Sequence, residues 1–206
     1  MARALTIDNI LNKKYKTFDF TGEWFDAFGT PETTGVWFIW GASGSGKTSF
    51  ILQLIKELSK YDRIFYNSLE EGKRLVLHNG LHRAGFEGHK YNNRILVEEE
   101  DKDTLIARIS KPKSPNIVII DSFQVFGLNF KDYLELKKMF PNKLFIYISQ
   151  VEGKQPASAP ARQAKHDADL KIWVEGFRAI SNGRYFGTVG YYTVWEERAA
   201  EYWLNK

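Results

Sequence analysis

Gly41, Gly46, Lys47 and Thr48 stand in the spacing G-x-x-x-x-G-K-T, and that spacing is suited to holding phosphate. Glycines let backbone N–H groups turn inward onto phosphate oxygens, and a helix opening directly afterwards adds its free amides and the positive end of its dipole. Lys47 supplies a point charge for β- and γ-phosphates, and the Thr48 hydroxyl is placed for Mg²⁺. The predicted cradle comprises Gly41, Ala42, Ser43, Gly44, Ser45, Gly46, Lys47, Thr48 and Ser49.

Further chemistry-bearing residues end apolar runs. Asp121 closes Ile117–Ile120; at the carboxyl end of a parallel strand it faces the ligand crevice, where a carboxylate holds magnesium through water. Glu70 and Glu71 follow the run Arg63–Tyr66. A carboxylate there can orient and deprotonate a water in line with a γ-phosphate, and either of the two can be that base. Gln150 follows Lys143–Ser149; its amide can hydrogen-bond a γ-phosphate and signal its loss.

The elements that must position these groups alternate. Val36–Trp40 reads as a strand buried on both faces. Phe50, Ile51, Leu54, Ile55 and Leu58 then recur at helical spacing. Strands are predicted over 63–66, 94–97, 116–121 and 143–149, and helices over 73–84, 103–109 and 131–140, with Pro141 as the last stop. Strands separated by helix-length segments predict an α/β fold of three layers, a mostly parallel sheet covered on both faces. Residues 151–165, rich in Ala, Pro, Ser, Lys and Gln, read as an exposed mobile loop. Two strands, 169–180 and 184–195, then form a hairpin turning at Asn182-Gly183. Residues 1–34 are expected to pack as an N-terminal segment on a single core domain over 35–206.

Composition narrows the partners. With no cysteine among 206 residues, disulfides, thiolate zinc sites and thiol catalysis are excluded. No apolar run approaches the roughly 20 residues needed to cross a bilayer, and no secretory signal is visible, so the expected location is cytoplasmic. The net charge of +4 is compatible with nucleic acid without requiring it. His78 and His82 have metal-ligand spacing on a helix but no third ligand nearby, and read as a surface face. Tyr185, Phe186, Tyr191, Tyr192, Trp195, Tyr202 and Trp203 crowd the end of the chain, as sheet core or an oligomer interface, or as stacking surfaces for bases.

Taken in order, GASGSGKT at 41–48, NSLEE at 67–71, NIVIIDS at 116–122, FIYISQ at 145–150 and HDADLKIWVE at 166–175 resemble the RecA-like P-loop ATPase core. That core is shared by RecA recombinases, DnaB-type replicative helicases and KaiC-like ATPases. The resemblance implies an Mg-dependent, oligomeric ATPase acting in DNA recombination, replication or repair. It implies Glu70 as base with Glu71 as second candidate, Asp121 as the Walker B carboxylate and Gln150 as γ-phosphate sensor. It puts a DNA-contacting loop, for single-stranded DNA, at Lys154, Gln155, Arg162 and Lys165, and a finger reaching a neighbouring subunit's site at Arg178 or Arg184. The extra terminal domains of recombinases and replicative helicases are missing, which suits a phage or mobile element, or reliance on a protein partner. A KaiC-like regulatory ATPase working on a protein, a small-molecule kinase and a nucleotide-gated assembly protein are the alternatives.

Overall fold

The computed structural model describes residues 4–206; the first three residues of the predicted N-terminal segment lie outside it. The chain runs α1 (Ile7–Leu11), α2 (Glu23–Phe28), β1 (Gly35–Gly41), α3 (Lys47–Leu58), β2 (Ile64–Ser68), α4 (Leu75–Arg83), β3 (Ile95–Glu98), α5 (Lys102–Ile109) and β4 (Ile117–Asp121). It continues with α6 (Phe123–Phe126), α7 (Phe130–Met139), β5 (Leu144–Ser149), β6 (Val151–Glu152), β7 (Gln155–Pro156) and α8 (Ala159–Asp167). The last elements are β8 (Leu170–Glu175), β9 (Arg178–Ser181), β10 (Tyr191–Thr193) and α9 (Glu196–Leu204).

Eight strands form one sheet in the order β3-β2-β4-β5-β1-β8-β9-β10. Pairing is parallel from β3 through β8, and β9 and β10 add antiparallel edge strands. Strand pleating divides the apolar side chains between two core layers. Trp37, Ile39, Ile119, Ile146 and Ile172 face one side, where α3 contributes Phe50, Ile51, Leu54 and Ile55. Phe38, Trp40, Val118, Ile120, Phe145 and Tyr147 face the other, under Leu105 of α5, Phe123 of α6, Tyr133 of α7 and the alanines of α8. β1 sits between β5 and β8, so its carboxyl end opens onto the middle of the sheet rim.

Phe18 and Phe20 stack on each other and present their edges to Trp37 and Tyr61. Helix α3 meets α4 closely at Gly80, where an added Cβ would lie 2.8 Å from Leu52 Cδ1. The glycine that weakens α4 in isolation is thus what lets the two helices approach. Among the described residues no helix is long and apolar enough to cross a membrane.

Two expectations from sequence need correction. The hairpin turns at Gly176-Phe177, both at positive φ (52° and 57°), rather than at Asn182-Gly183. Gly183 instead lies against the start of β8, where a Cβ would fall 2.7 Å from the Lys171 nitrogen and 2.9 Å from the Asp169 oxygen. The segment read as a mobile loop is ordered into the β6–β7 hairpin and α8. Ser158 caps α8 by accepting from the Ala161 N–H, Pro160 sits in its first turn, and Ala161 and Ala164 are fully buried.

Candidate active site

The phosphate cradle is shaped by its neighbours as well as by its own glycines. Gly41 ends β1 with its Cα against the Val174 carbonyl of β8, at a distance where a Cβ would come within 2.3 Å of that oxygen. Gly44 and Gly46 take positive φ of 74° and 95°, and Gly46 is the N-cap of α3. The Ser45 carbonyl accepts from the Phe177 N–H at 3.1 Å, and the Phe177 ring fills the space beside Gly46. The Ser45 hydroxyl is buried without a partner. The first turn of a 12-residue helix therefore points free amides at the loop.

β2, β4 and β5 deliver the carboxylates to the same rim. Asp121, the last residue of β4, is 5 % exposed and sits in register with Ser68 of β2 and Ile148 of β5. Its main-chain oxygen accepts from the N–H groups of Leu69 (2.7 Å) and Glu70 (3.0 Å). Those two bonds turn the chain after β2 so that Glu70 and Glu71 come back beside Asp121. The peptide after Asp121 is cis.

The two glutamates have different neighbours. Glu71 is half-buried; its Oε1 accepts from the Thr48 hydroxyl at 3.2 Å and its Oε2 is buried without a partner. Glu70 is exposed, and its Oε1 accepts from the Gln150 amide at 3.1 Å. The Gln150 N–H donates in turn to Gln124 Oε1, and Gln124 Nε2 donates to the Ser149 hydroxyl at 2.8 Å.

Burial, reinforced by the charges of Glu70 and Glu71, pushes the Asp121 carboxyl from 3.8 up to about 7; a hydrogen bond from Tyr66 at 2.9 Å and the charge of Lys47 oppose the rise. Without metal and nucleotide, the folded chain thus holds a proton that the unfolded chain has released. Stability falls as pH rises from 3.8 through about 7, by an upper bound of roughly 4 kcal/mol. Asp121→Asn, which has no charge to desolvate, is expected to raise the unfolding midpoint of the ligand-free protein by about 5 °C or more at pH 8. That advantage should shrink below about pH 5. A thermal melt series in buffers of about pH 4.5–8.5 checks it; equal midpoints at pH 8 would show that the carboxylate is not strained.

The structure therefore brings Lys47, Thr48, Glu70, Glu71, Asp121 and Gln150 to one rim. Other predicted residues are elsewhere. Arg184 pairs with Asp169 at 3.0 Å, and Asp169 Oδ2 accepts from the Val36 N–H at the start of β1. Arg184 is thus at the opposite rim, out of reach of its own chain's cradle. Arg178 starts β9 at the carboxyl rim, but its guanidinium lies over the rings of Tyr191 (4.5 Å) and Trp203 (5.1 Å). Of the residues assigned to a DNA-contacting loop, Lys154 and Gln155 are exposed on the β6–β7 hairpin. Arg162 donates to the Pro156 carbonyl, and Lys165 bonds Gln155 while its ammonium sits over the Trp40 ring at 4.9 Å. These two are held on α8, so the picture of four basic or polar groups on a free loop does not stand.

Three features are not legible in the sequence. Tyr66 reaches Asp121 only because β2 and β4 are sheet neighbours. Phe177 shapes the cradle from a turn that the sequence places elsewhere. A cavity of about 270 Å³ opens beside Ser49, lined by Gln53, Gly80, Arg83, Ala84, Val194 and Trp195. Its one sequence signal is an aromatic residue directly before α9.

No protein-family model matches the sequence, and no curated protein matches it significantly. Solved structures do match. A KaiC-like protein from the archaeon Pyrococcus horikoshii is 17 % identical, with 82 % of this chain and 94 % of that one covered and a TM-score of 0.62. The flagellar accessory protein FlaH from Methanocaldococcus jannaschii is 13 % identical over 87 % of this chain and 92 % of that one, TM-score 0.62. A helicase ATPase domain is 18 % identical over 77 % of this chain and 78 % of that one, TM-score 0.52. The fold is therefore that of the RecA-like P-loop proteins, with a mostly parallel central sheet and a C-terminal antiparallel hairpin.

Proposed function

We propose that this chain binds ATP with Mg²⁺ and hydrolyses it. The observation that carries the reading is the convergence of Thr48 with Glu71, and of Glu70 with Gln150, beside one glycine cradle. The residues fit the ligands. Buried polar atoms without partners, Ser45 Oγ and Glu71 Oε2, lie in the cradle and next to the metal-side hydroxyl. A hydroxyl and carboxylates form the oxygen-rich donor set that Mg²⁺ prefers. Thr48 would ligate the metal directly, and Asp121 and Glu71 would hold its waters. When bound, the metal neutralises charge on the β- and γ-phosphate oxygens.

The chain's own groups then divide the work. The loop amides and Lys47 bind and orient the phosphates. Glu70, facing solvent, positions a water in line with the γ-phosphorus and takes its proton as the P–O bond to the leaving β-phosphate breaks. Gln150, bonded to Glu70 in the nucleotide-free chain, is placed to exchange that partner for the γ-phosphate. The cavity beside Ser49 suits a base: Trp195 offers a ring face, and Gln53 Oε1 is a buried acceptor without a partner, matched to an exocyclic amino group.

The work driven by turnover is proposed to involve single-stranded DNA, on the likeness to the recombinase and helicase core and on Lys154 beside Ser43 and Gly44 across a shared cleft. A second reading, in which the ATPase acts on a protein partner as part of an oligomer, is favoured by the internal engagement of Arg162 and Lys165. Phosphate release measured with and without single-stranded DNA at low salt, with the particle mass in solution, tests both. Stimulation of several-fold that fades with salt is expected for the DNA reading. Turnover and mass indifferent to DNA would move the reading to a protein partner, and no phosphate release in any state would overturn the ATPase itself.

A further inference from the structure

Helix α4 carries a pair of histidines that sequence spacing alone assigns to a bare surface face. His78 and His82 are exposed and one turn apart, and their Nε2 atoms face each other at 3.3 Å. The opposite nitrogen of each ring faces an acceptor. His82 Nδ1 lies 3.5 Å from Glu87 Oε1, and His78 Nδ1 lies 3.4 Å from Asn79 Oδ1. A carboxylate oxygen accepts and does not donate, so it selects the His82 tautomer protonated on Nδ1; the Asn79 oxygen selects the same tautomer of His78. In a neutral imidazole the other nitrogen is then a bare lone pair. Two lone pairs therefore point at each other across 3.3 Å, an arrangement that is repulsive until a cation enters between them. A chelate made of two imidazole nitrogens, each steadied from behind by an oxygen, is the usual construction of a transition-metal site.

We propose that His78 and His82 chelate a zinc-class divalent cation through their Nε2 atoms. With a zinc–nitrogen bond of about 2.05 Å, a nitrogen separation of 3.3 Å subtends about 107° at the metal, close to tetrahedral. Among the described residues no third His, Asp or Glu joins the pair, so water completes the shell. Imidazole suits zinc, nickel and copper, whereas Mg²⁺ takes oxygen ligands; this site is chemically separate from the metal position of the phosphate cradle. Zinc here would staple the first turns of α4, the helix that follows Glu70 and Glu71.

The test is calorimetric titration of ZnCl₂ into the full chain at pH 8, free of magnesium and nucleotide. One equivalent is expected to bind, with affinity reduced about tenfold or more in His78→Ala and in His82→Ala, and unchanged in His166→Ala. Glu87→Gln should weaken it by up to about tenfold by loosening the His82 ring. CoCl₂ in place of zinc should give the visible absorption of a tetrahedral site, lost in the same two variants. All four positions are exposed, so apo unfolding midpoints should match the parent and separate lost binding from lost folding. Failure to bind zinc, binding of parental strength in His78→Ala and His82→Ala, or a shared proton with no metal uptake would each overturn the proposal.

Discussion

Lys47→Ala is expected to remove ATP turnover, lowering kcat/KM by about 10³-fold or more and weakening nucleotide binding at the same time. The size of the effect follows from where the residue stands. Lys47 is the first residue of α3, directly after the left-handed Gly46, and its charge is felt at the buried Asp121. It is the one cationic side chain within the cradle sequence, which otherwise offers amides and hydroxyls. Backbone N–H groups can hold phosphate oxygens, but the charge that accumulates as the γ-phosphoryl leaves has no other full positive charge from this loop. The substitution should leave the fold intact, since alanine suits a helix start and nothing in the core depends on the Lys47 stem. Fluorescent-nucleotide binding and a coupled phosphate assay read both effects. Turnover near that of the parent would mean that the reacting phosphate lies elsewhere.

Glu70→Gln is expected to slow hydrolysis by about 10²-fold or more while leaving ATP affinity within about twofold. Glutamine keeps the shape and the contact to Gln150 but cannot take a proton from water. Glu71→Gln should behave differently. Its carboxylate accepts from Thr48 and turns a buried, unpartnered oxygen toward the metal side, so its loss is expected to raise the Mg²⁺ concentration needed for half-maximal rate more than it lowers kcat at saturation. The contrast between the two variants is the measurement: Mg²⁺ titrations of turnover for each. A collapse of kcat in Glu71→Gln beside near-normal rates in Glu70→Gln would exchange their roles.

The parts of this site that sequence discloses are those tied to strand ends. In a parallel sheet all carboxyl ends share one rim, so Glu70, Asp121 and Gln150 can be expected together once their apolar runs are recognised as strands. The parts it conceals depend on which strands are neighbours. Tyr66 meets Asp121 because β2 lies beside β4, and strand order is not written in either run. α8 is hard to see because its buried face is Ala161 and Ala164, side chains too small to give an apolar signal. They fit only because Phe38, Phe123 and Tyr147 already fill that layer. Asn182-Gly183 misleads for a related reason: the glycine serves a close approach to β8, whereas the true turn puts a phenylalanine at positive φ.

That phenylalanine has a last consequence. The loop sequence at 41–48 is complete by the first quarter of the chain, yet the Val174 carbonyl and the Phe177 amide press on it from strands made near the end. A ribosome must therefore finish almost the entire polypeptide before the nucleotide pocket acquires its final contour. The first half alone would carry the signature in every letter and still be a mould without its outer wall.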